Sequence, residues 1–197
     1  RLMKRIGILG NIGSGKSFIA RLFGYPVFNA DQEVLKIYKN NKTIFFKLKK
    51  ALPKYIHSFP INKTEVSYAI LHKENNLKKI NKTIHSEVRK KMKIFLKKNK
   101  NKKFVILDIP LLLENKIANK RDILIFIETK KSDVLKNLKM RKNFNKKLFN
   151  KFNRIQLPLD YKRKRSHFVI KNDFKKKTAI KSVKIILNKI KKWMKLY

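Results

Sequence analysis

The sequence predicts an α/β protein of three layers, with a parallel sheet between helices. Three observations predict it. Short apolar runs that suit buried strands recur along the 197 residues, separated by stretches with apolar residues three or four apart. The first such run, Arg5-Ile6-Gly7-Ile8-Leu9, leads into Gly10-Asn11-Ile12-Gly13-Ser14-Gly15-Lys16-Ser17, a G-x-x-x-x-G-K-S loop. Helical spacing then begins at once, in Ser17-Phe18-Ile19-Ala20-Arg21-Leu22-Phe23. Strand, glycine loop and helix in that order are the context a phosphate-binding loop requires, so the fold is of the P-loop NTPase type. Residues 1–197 read as a single domain of this type.

The loop has a chemical rationale. Glycines at 10, 13 and 15 let the backbone wrap so that several N–H groups converge on an anion. The N-terminus of the following helix adds partial positive charge. Lys16 can reach the outer phosphates of a triphosphate, and the Ser17 hydroxyl can ligate Mg²⁺. Lysine is so common in this chain that a Gly-Lys pair alone means little, but three of its five glycines fall in this loop. Gly10, Asn11, Ile12, Gly13, Ser14, Gly15, Lys16, Ser17 and the adjoining Phe18 are therefore the candidate nucleotide-binding residues.

Tyr25-Pro26-Val27-Phe28-Asn29 reads as a second strand, and Asp31 opens a helix that runs from Gln32 to Tyr38. A carboxylate at the C-terminal end of a strand, one crossover from the loop, faces the ligand crevice of an open α/β sheet. Asp31 equally suits a helix N-cap. Residues 32–100 form a helical region suited to binding an acceptor, with segments near 43–52, 63–71 and 75–96 and a break bracketed by Pro53 and Pro60. His85 lies in this region, where a lone histidine is more often structural than chemical.

Phe104-Val105-Ile106-Leu107-Asp108 reads as a central buried strand ending in a carboxylate, the Walker B pattern in which the acid helps hold magnesium. An unpaired buried charge is costly, which gives Asp108 a reason to be functional. Pro110 stops the strand, and Glu114 follows near the same sheet edge. Asp122 to Ile127 is a further strand, and the next helix begins with Ser132 as its cap. The basic stretch 141–165 suits a lid that closes over a nucleotide, or else a solvated helical hairpin. Phe168-Val169-Ile170 makes the last strand. The closing helix carries Ile180, Val183, Leu187, Ile190 and Met194 on one face, a pattern that fits packing on the sheet or, with its lysines, a membrane surface.

Composition narrows the classes. A hydrophobic content of 43% excludes a disordered tail. No apolar run approaches the roughly 18 to 20 residues of a membrane span. The apolar stretch after Arg5 is too short for a signal peptide and enters the loop directly. With no cysteine and four scattered histidines there is no thiolate or zinc pattern, and the cytoplasm is the expected compartment. The formal charge of +41 invites a nucleic-acid reading, but it is spread along the chain, and only nine of the 53 basic residues are arginine. Abundant Lys, Asn, Ile and Phe together fit compositional drift, so no specific nucleic-acid or membrane partner is expected. A monomer or weak homo-oligomer is the expected state, and Met3 is a possible true start.

With these residues in place the chain resembles the dephospho-CoA kinase family over nearly its whole length. The likeness rests on the 10–17 loop, Asn29-Ala30-Asp31, Ile84-His85, Asp108-Ile109-Pro110-Leu111-Leu112-Leu113-Glu114-Asn115, and the tail from Arg154-Ile155-Gln156 through Lys162 to Phe168-Val169-Ile170-Lys171-Asn172. Asn29 stands where the family has the first acid of Asp-Ala-Asp, Ser86 where it commonly has proline, and Lys142 where an Asp usually follows the lid arginine. The resemblance implies transfer of the ATP γ-phosphoryl to the ribose 3′-hydroxyl of dephospho-CoA; the alternative reading of the same residues is another small P-loop kinase acting on a nucleoside, nucleotide or small alcohol. It implies Asp31 as the group that orients that hydroxyl and takes its proton, with Lys16 and Arg141 as the other catalytic residues. Ser17 and Asp108 would be the Mg²⁺ ligands, and His85 and Glu114 would lie near the acceptor.

Overall fold

The apolar runs become strands. The computed structural model describes residues 3–142 and 144–195, so Arg1 and Leu2 at the start, residue 143 of the expected lid and residues 196–197 lie outside it. Among the described residues the strands are β1 (Lys4–Gly10), β2 (Val27–Asn29), β3 (Phe104–Asp108), β4 (Ile123–Glu128) and β5 (Phe168–Lys171). The helices are α1 (Lys16–Leu22), α2 (Ala30–Asn40), α3 (Lys42–Ala51), α4 (Lys63–His72), α5 (Glu74–Lys98), α6 (Lys131–Lys139), α7 (Lys146–Arg154), α8 (Leu159–Lys164) and α9 (Lys176–Trp193). All strand pairs are parallel, in the order β2-β3-β1-β4-β5.

The chain divides into two compact units. The first comprises residues up to Asn29, Asn99–Phe144 and the residues from Phe152 onward. It holds the sheet, whose strands are apolar on both faces because helices or turns cover both. On one face Ile6, Ile8, Ile106, Ile125 and Ile127 pack with Ile19 of α1 and Val183, Ile186 and Ile190 of α9. Gly7, Leu107 and Leu124 alternate onto the other face, where Leu112 packs and α8 lies against β1. β1 is the central strand, flanked by β3 and β4, so the loop that follows it opens at the C-terminal edge of the sheet.

The second unit comprises Ala30–Lys98 and Asn145–Lys151. Here α5 presents Leu77, Ile80, Ile84, Val88 and Met92 at helical spacing, and these are buried with Ile37, Phe45, Leu48, Val66 and Ala69 from α2, α3 and α4. Asn41 and Asn62 cap α3 and α4 by accepting the N–H groups of Ile44 and Thr64. Lys151 of α7 donates to the carbonyls of Ile70 (2.7 Å) and Leu71 (3.4 Å) at the end of α4, a cation meeting the negative end of a helix.

Three local expectations are corrected. Asp31 is not an N-cap, because α2 begins at Ala30 and Asp31 lies inside its first turn. Ser132 is not a cap either: α6 begins at Lys131, so the serine is already helical. In α9 the buried stripe is Ala179, Val183, Ile186 and Ile190, while Ile180 is 46% exposed. The small Ala179 is the residue turned into the core, and that phase points Ile180 about 100° away from it.

Candidate functional site

The loop between β1 and α1 adopts backbone geometry that its sequence alone permits. Gly13 and Gly15 have φ of 79° and 84°, the left-handed region that side chains resist. Close packing adds a second constraint, because a Cβ on Gly13 would lie 2.7 Å from Leu138 Cγ, and one on Gly15 would lie close against the Asn172 amide nitrogen. Side chains from three later segments hold the loop carbonyls: Asn137 Nδ2 donates to Gly13 O (2.9 Å), Thr129 Oγ1 to Ser14 O (3.2 Å) and Asn172 Nδ2 to Ser14 O (2.9 Å). Lys16 Nζ donates to the carbonyls of Asn11 (2.6 Å) and Gly10 (3.3 Å), so its ammonium lies over the loop.

Ser17 and Asp108, the two residues expected to serve magnesium, come together. Asn29 and Asp108 are register partners on β2 and β3, and Asn29 Nδ2 donates to Asp108 Oδ2 at 2.5 Å and to Ser17 Oγ at 3.3 Å. Asp108 is 3% exposed, and this amide answers the question of how a buried carboxylate at a strand end is accommodated. Among the described residues no three His, Cys, Asp or Glu side chains cluster so as to hold a metal. Magnesium in phosphoryl transfer takes a hydroxyl, a carboxylate and oxygens of the nucleotide rather than an all-protein cage, and Ser17 and Asp108 are side chains of the first two kinds.

The remaining expected residues have other surroundings. Asp31 is exposed in the first turn of α2, in the second unit. His85 is half-buried on α5 in that unit, and burial, with the Arg89 charge one turn on, pushes its pKa down. In the same unit, burial pushes the pKa of the Tyr38 hydroxyl up to about 12. Arg141 is exposed just past α6. Glu114 lies in an ion pair of the first unit: its Oε1 meets Lys162 Nζ at 2.6 Å and accepts the Leu157 N–H at 3.0 Å. Lys162, only 1% exposed, also donates to Gln156 Oε1 at 3.1 Å. Arg163 of the same basic stretch pairs with Glu128 at 2.9 Å. The stretch expected to form a lid therefore places two of its cations in ion pairs, the Lys162 pair buried and the Arg163 pair exposed.

Sequence reasoning missed the bridging role of Asn29 and the tethering roles of Thr129 and Asn137. Asn29 was legible as a polar residue at a strand end, but its partner is 79 residues away. Thr129 and Asn137 carried no signal, since neither stands in a motif.

The chain is similar to known proteins over most of its length. A family model described as dephospho-CoA kinase matches residues 4–178. The dephospho-CoA kinase of Wolbachia sp. subsp. Brugia malayi is 35% identical over 190 residues, covering 94% of this chain and 97% of the relative. That of Bartonella quintana is 32% identical over 173 residues, covering 85% and 88%. A crystal structure from Thermus thermophilus superposes with a TM-score of 0.78 at 25% identity, covering 96% of this chain and 98% of that one.

Proposed function

From the premise that the chain belongs to the dephospho-CoA kinase family, we propose how its residues divide the work. The chain is a kinase that transfers a phosphoryl group from ATP to the ribose 3′-hydroxyl of dephospho-CoA, the last step of coenzyme A synthesis. In the step itself the 3′-oxygen forms a bond to the γ-phosphorus, the bond to the β-bridging oxygen breaks, and ADP leaves. The hydroxyl proton goes to a base, which is Asp31 in this reading.

The 10–17 loop binds the phosphates through its N–H groups, and Lys16 leaves the loop carbonyls to neutralise the outer phosphates. Ser17 Oγ and Asp108 would hold a magnesium ion, which supplies charge neutralisation on the nucleotide oxygens. Arg141 stabilises charge developing on the transferred group. His85 and Glu114 serve the acceptor side, Glu114 by fixing the 156–162 segment through Lys162. A site of loop, acid and cations is what phosphoryl transfer demands, since positioning and electrostatics carry nearly all of its catalysis.

The observation that carries this reading is the Asn29 amide, within hydrogen-bond distance of Ser17 Oγ and Asp108 Oδ2 together, beside the phosphate loop. The proposal keeps the cytoplasmic location and the monomer or weak homo-oligomer that the sequence suggests, and sedimentation velocity reads the second. Among the described residues no helix is long and apolar enough to cross a membrane.

The test is ADP release from Mg·ATP with dephospho-CoA, adenosine, AMP and shikimate as parallel acceptors. Turnover is expected with dephospho-CoA alone. Asp31→Asn should lower it by about 10²- to 10⁴-fold, the usual worth of a general base. Turnover with a different acceptor would overturn the substrate, and an unchanged Asp31→Asn rate would overturn the base.

A further inference from the structure

The Ser14 carbonyl accepts two side-chain hydrogen bonds from separate segments of the first unit, one from Thr129 just past β4 and one from Asn172 just past β5. We infer that Thr129 and Asn172 form a clamp that presets the phosphate loop for nucleotide, making them positioning residues for the reaction. The inference rests on the reading of this loop as the ATP site.

A peptide unit is planar and trans, so its C=O and the next N–H point in opposite directions. With both lone pairs of the Ser14 carbonyl engaged, the plane between residues 14 and 15 cannot rotate without breaking two bonds. The Gly15 N–H is thereby held on the side away from Thr129 and Asn172. An amide donor fixed before nucleotide arrives costs no reorganisation when it binds a phosphate oxygen.

Three features show that Asn172 is built for this task. Its side chain is 4% exposed, so the amide has been taken out of water for internal bonds alone. Both ends of the amide are used: Nδ2 donates to Ser14 O, while Oδ1 accepts the Phe174 N–H at 3.0 Å, which fixes which way the group faces. The nitrogen also occupies the space that a Cβ at position 15 would need, so the residue at 15 must be glycine for the clamp to close. Asn137 adds a neighbouring tether at Gly13 O.

The test measures ATP affinity, thermal stability and steady-state kinetics of the full chain and three variants. Thr129→Val keeps size and shape but removes the hydroxyl donor; Thr129→Ser restores it. Asn172→Asp keeps the acceptor for Phe174 and turns the donor into an acceptor facing Ser14 O. Thr129→Val should raise the ATP Kd and KM several-fold and Asn172→Asp about ten-fold or more, the scale of one lost and one reversed hydrogen bond. The KM for dephospho-CoA should stay within about two-fold, and Thr129→Ser should recover the wild-type ATP affinity. An ATP affinity unchanged in Thr129→Val overturns the clamp, however Asn172→Asp folds. Failure of the wild-type chain to phosphorylate dephospho-CoA would count against the proposed reaction instead, because nucleotide affinity reads the clamp without any acceptor.

Discussion

Asn29 and Asp108 face each other at the C-terminal ends of adjacent parallel strands, and the amide of the first donates to the carboxylate of the second at 2.5 Å. The same nitrogen lies 3.3 Å from the Ser17 hydroxyl oxygen. A neutral donor thus sits between the two groups proposed to hold magnesium, at a position where the resembled family carries an acid. This arrangement gives the buried Asp108 carboxylate a neutral partner.

Replacing that donor by an acid should expose the relationship. Asn29→Asp sets two carboxylates side by side and removes the donor to Asp108, so in EDTA the thermal midpoint should fall by several degrees, about 2–4 °C for each kcal/mol lost. Millimolar Mg²⁺ should return most of the loss in the variant and change the wild type less. Differential scanning calorimetry with and without the metal reads both effects. A variant midpoint insensitive to Mg²⁺ would contradict the assignment of this corner as the metal site.

The Glu114–Lys162 pair makes a different prediction. Both side chains are nine-tenths buried or more, so removing one leaves the other charged in a dry site. Lys162→Met should cost about 3–5 kcal/mol in urea unfolding, whereas Glu114→Gln combined with Lys162→Met should recover much of that loss. Equal losses in the single and double variants would show that the two residues do not act as a pair.

How much of this was legible in sequence follows from the range of each interaction. The 10–17 loop, its flanking strand and helix, and the carboxylate ending β3 are local patterns, and each was read at its place. The order of the strands is what brings Asn29 to Asp108, and no spacing reports that pairing. Lys162 was named in the tail that carries the resemblance, but its burial could not be read in a chain so rich in lysine, because that depends on Glu114 meeting it from another segment. The misplaced Ser132 cap and the shifted face of α9 share one cause. Helix phase depends on where the first turn begins, and packing against the sheet decides that more strongly than residue preference.

Charge supplies a further check. At +41 the chain should bind polyanions at low salt, and if the lysines are compositional drift the binding should vanish as salt rises. Contacts to about six to ten phosphates would lose roughly 10³- to 10⁵-fold in affinity between 50 and 200 mM salt. Fluorescence anisotropy with labelled single- and double-stranded oligonucleotides of varied sequence measures this. A preference among them that survives at 200 mM would establish a nucleic-acid partner that the drift reading denies.

His85 gives the pH dependence its sign. Burial on α5, with the Arg89 charge beside it, holds the folded-state pKa below the ordinary 6.5 of a free histidine. As pH falls below about 6.5 the unfolded chain takes up a proton that the folded chain still refuses, so stability drops with acid. The contribution is complete above the unfolded pKa and is lost progressively as pH falls towards the folded value. His85→Gln, which cannot titrate, should flatten the stability profile in the window just below pH 6.5 and leave the slope above pH 7 unchanged. Urea unfolding of both proteins at half-unit pH steps decides it. If His85→Gln keeps the wild-type slope in that window, the acid sensitivity belongs to another group.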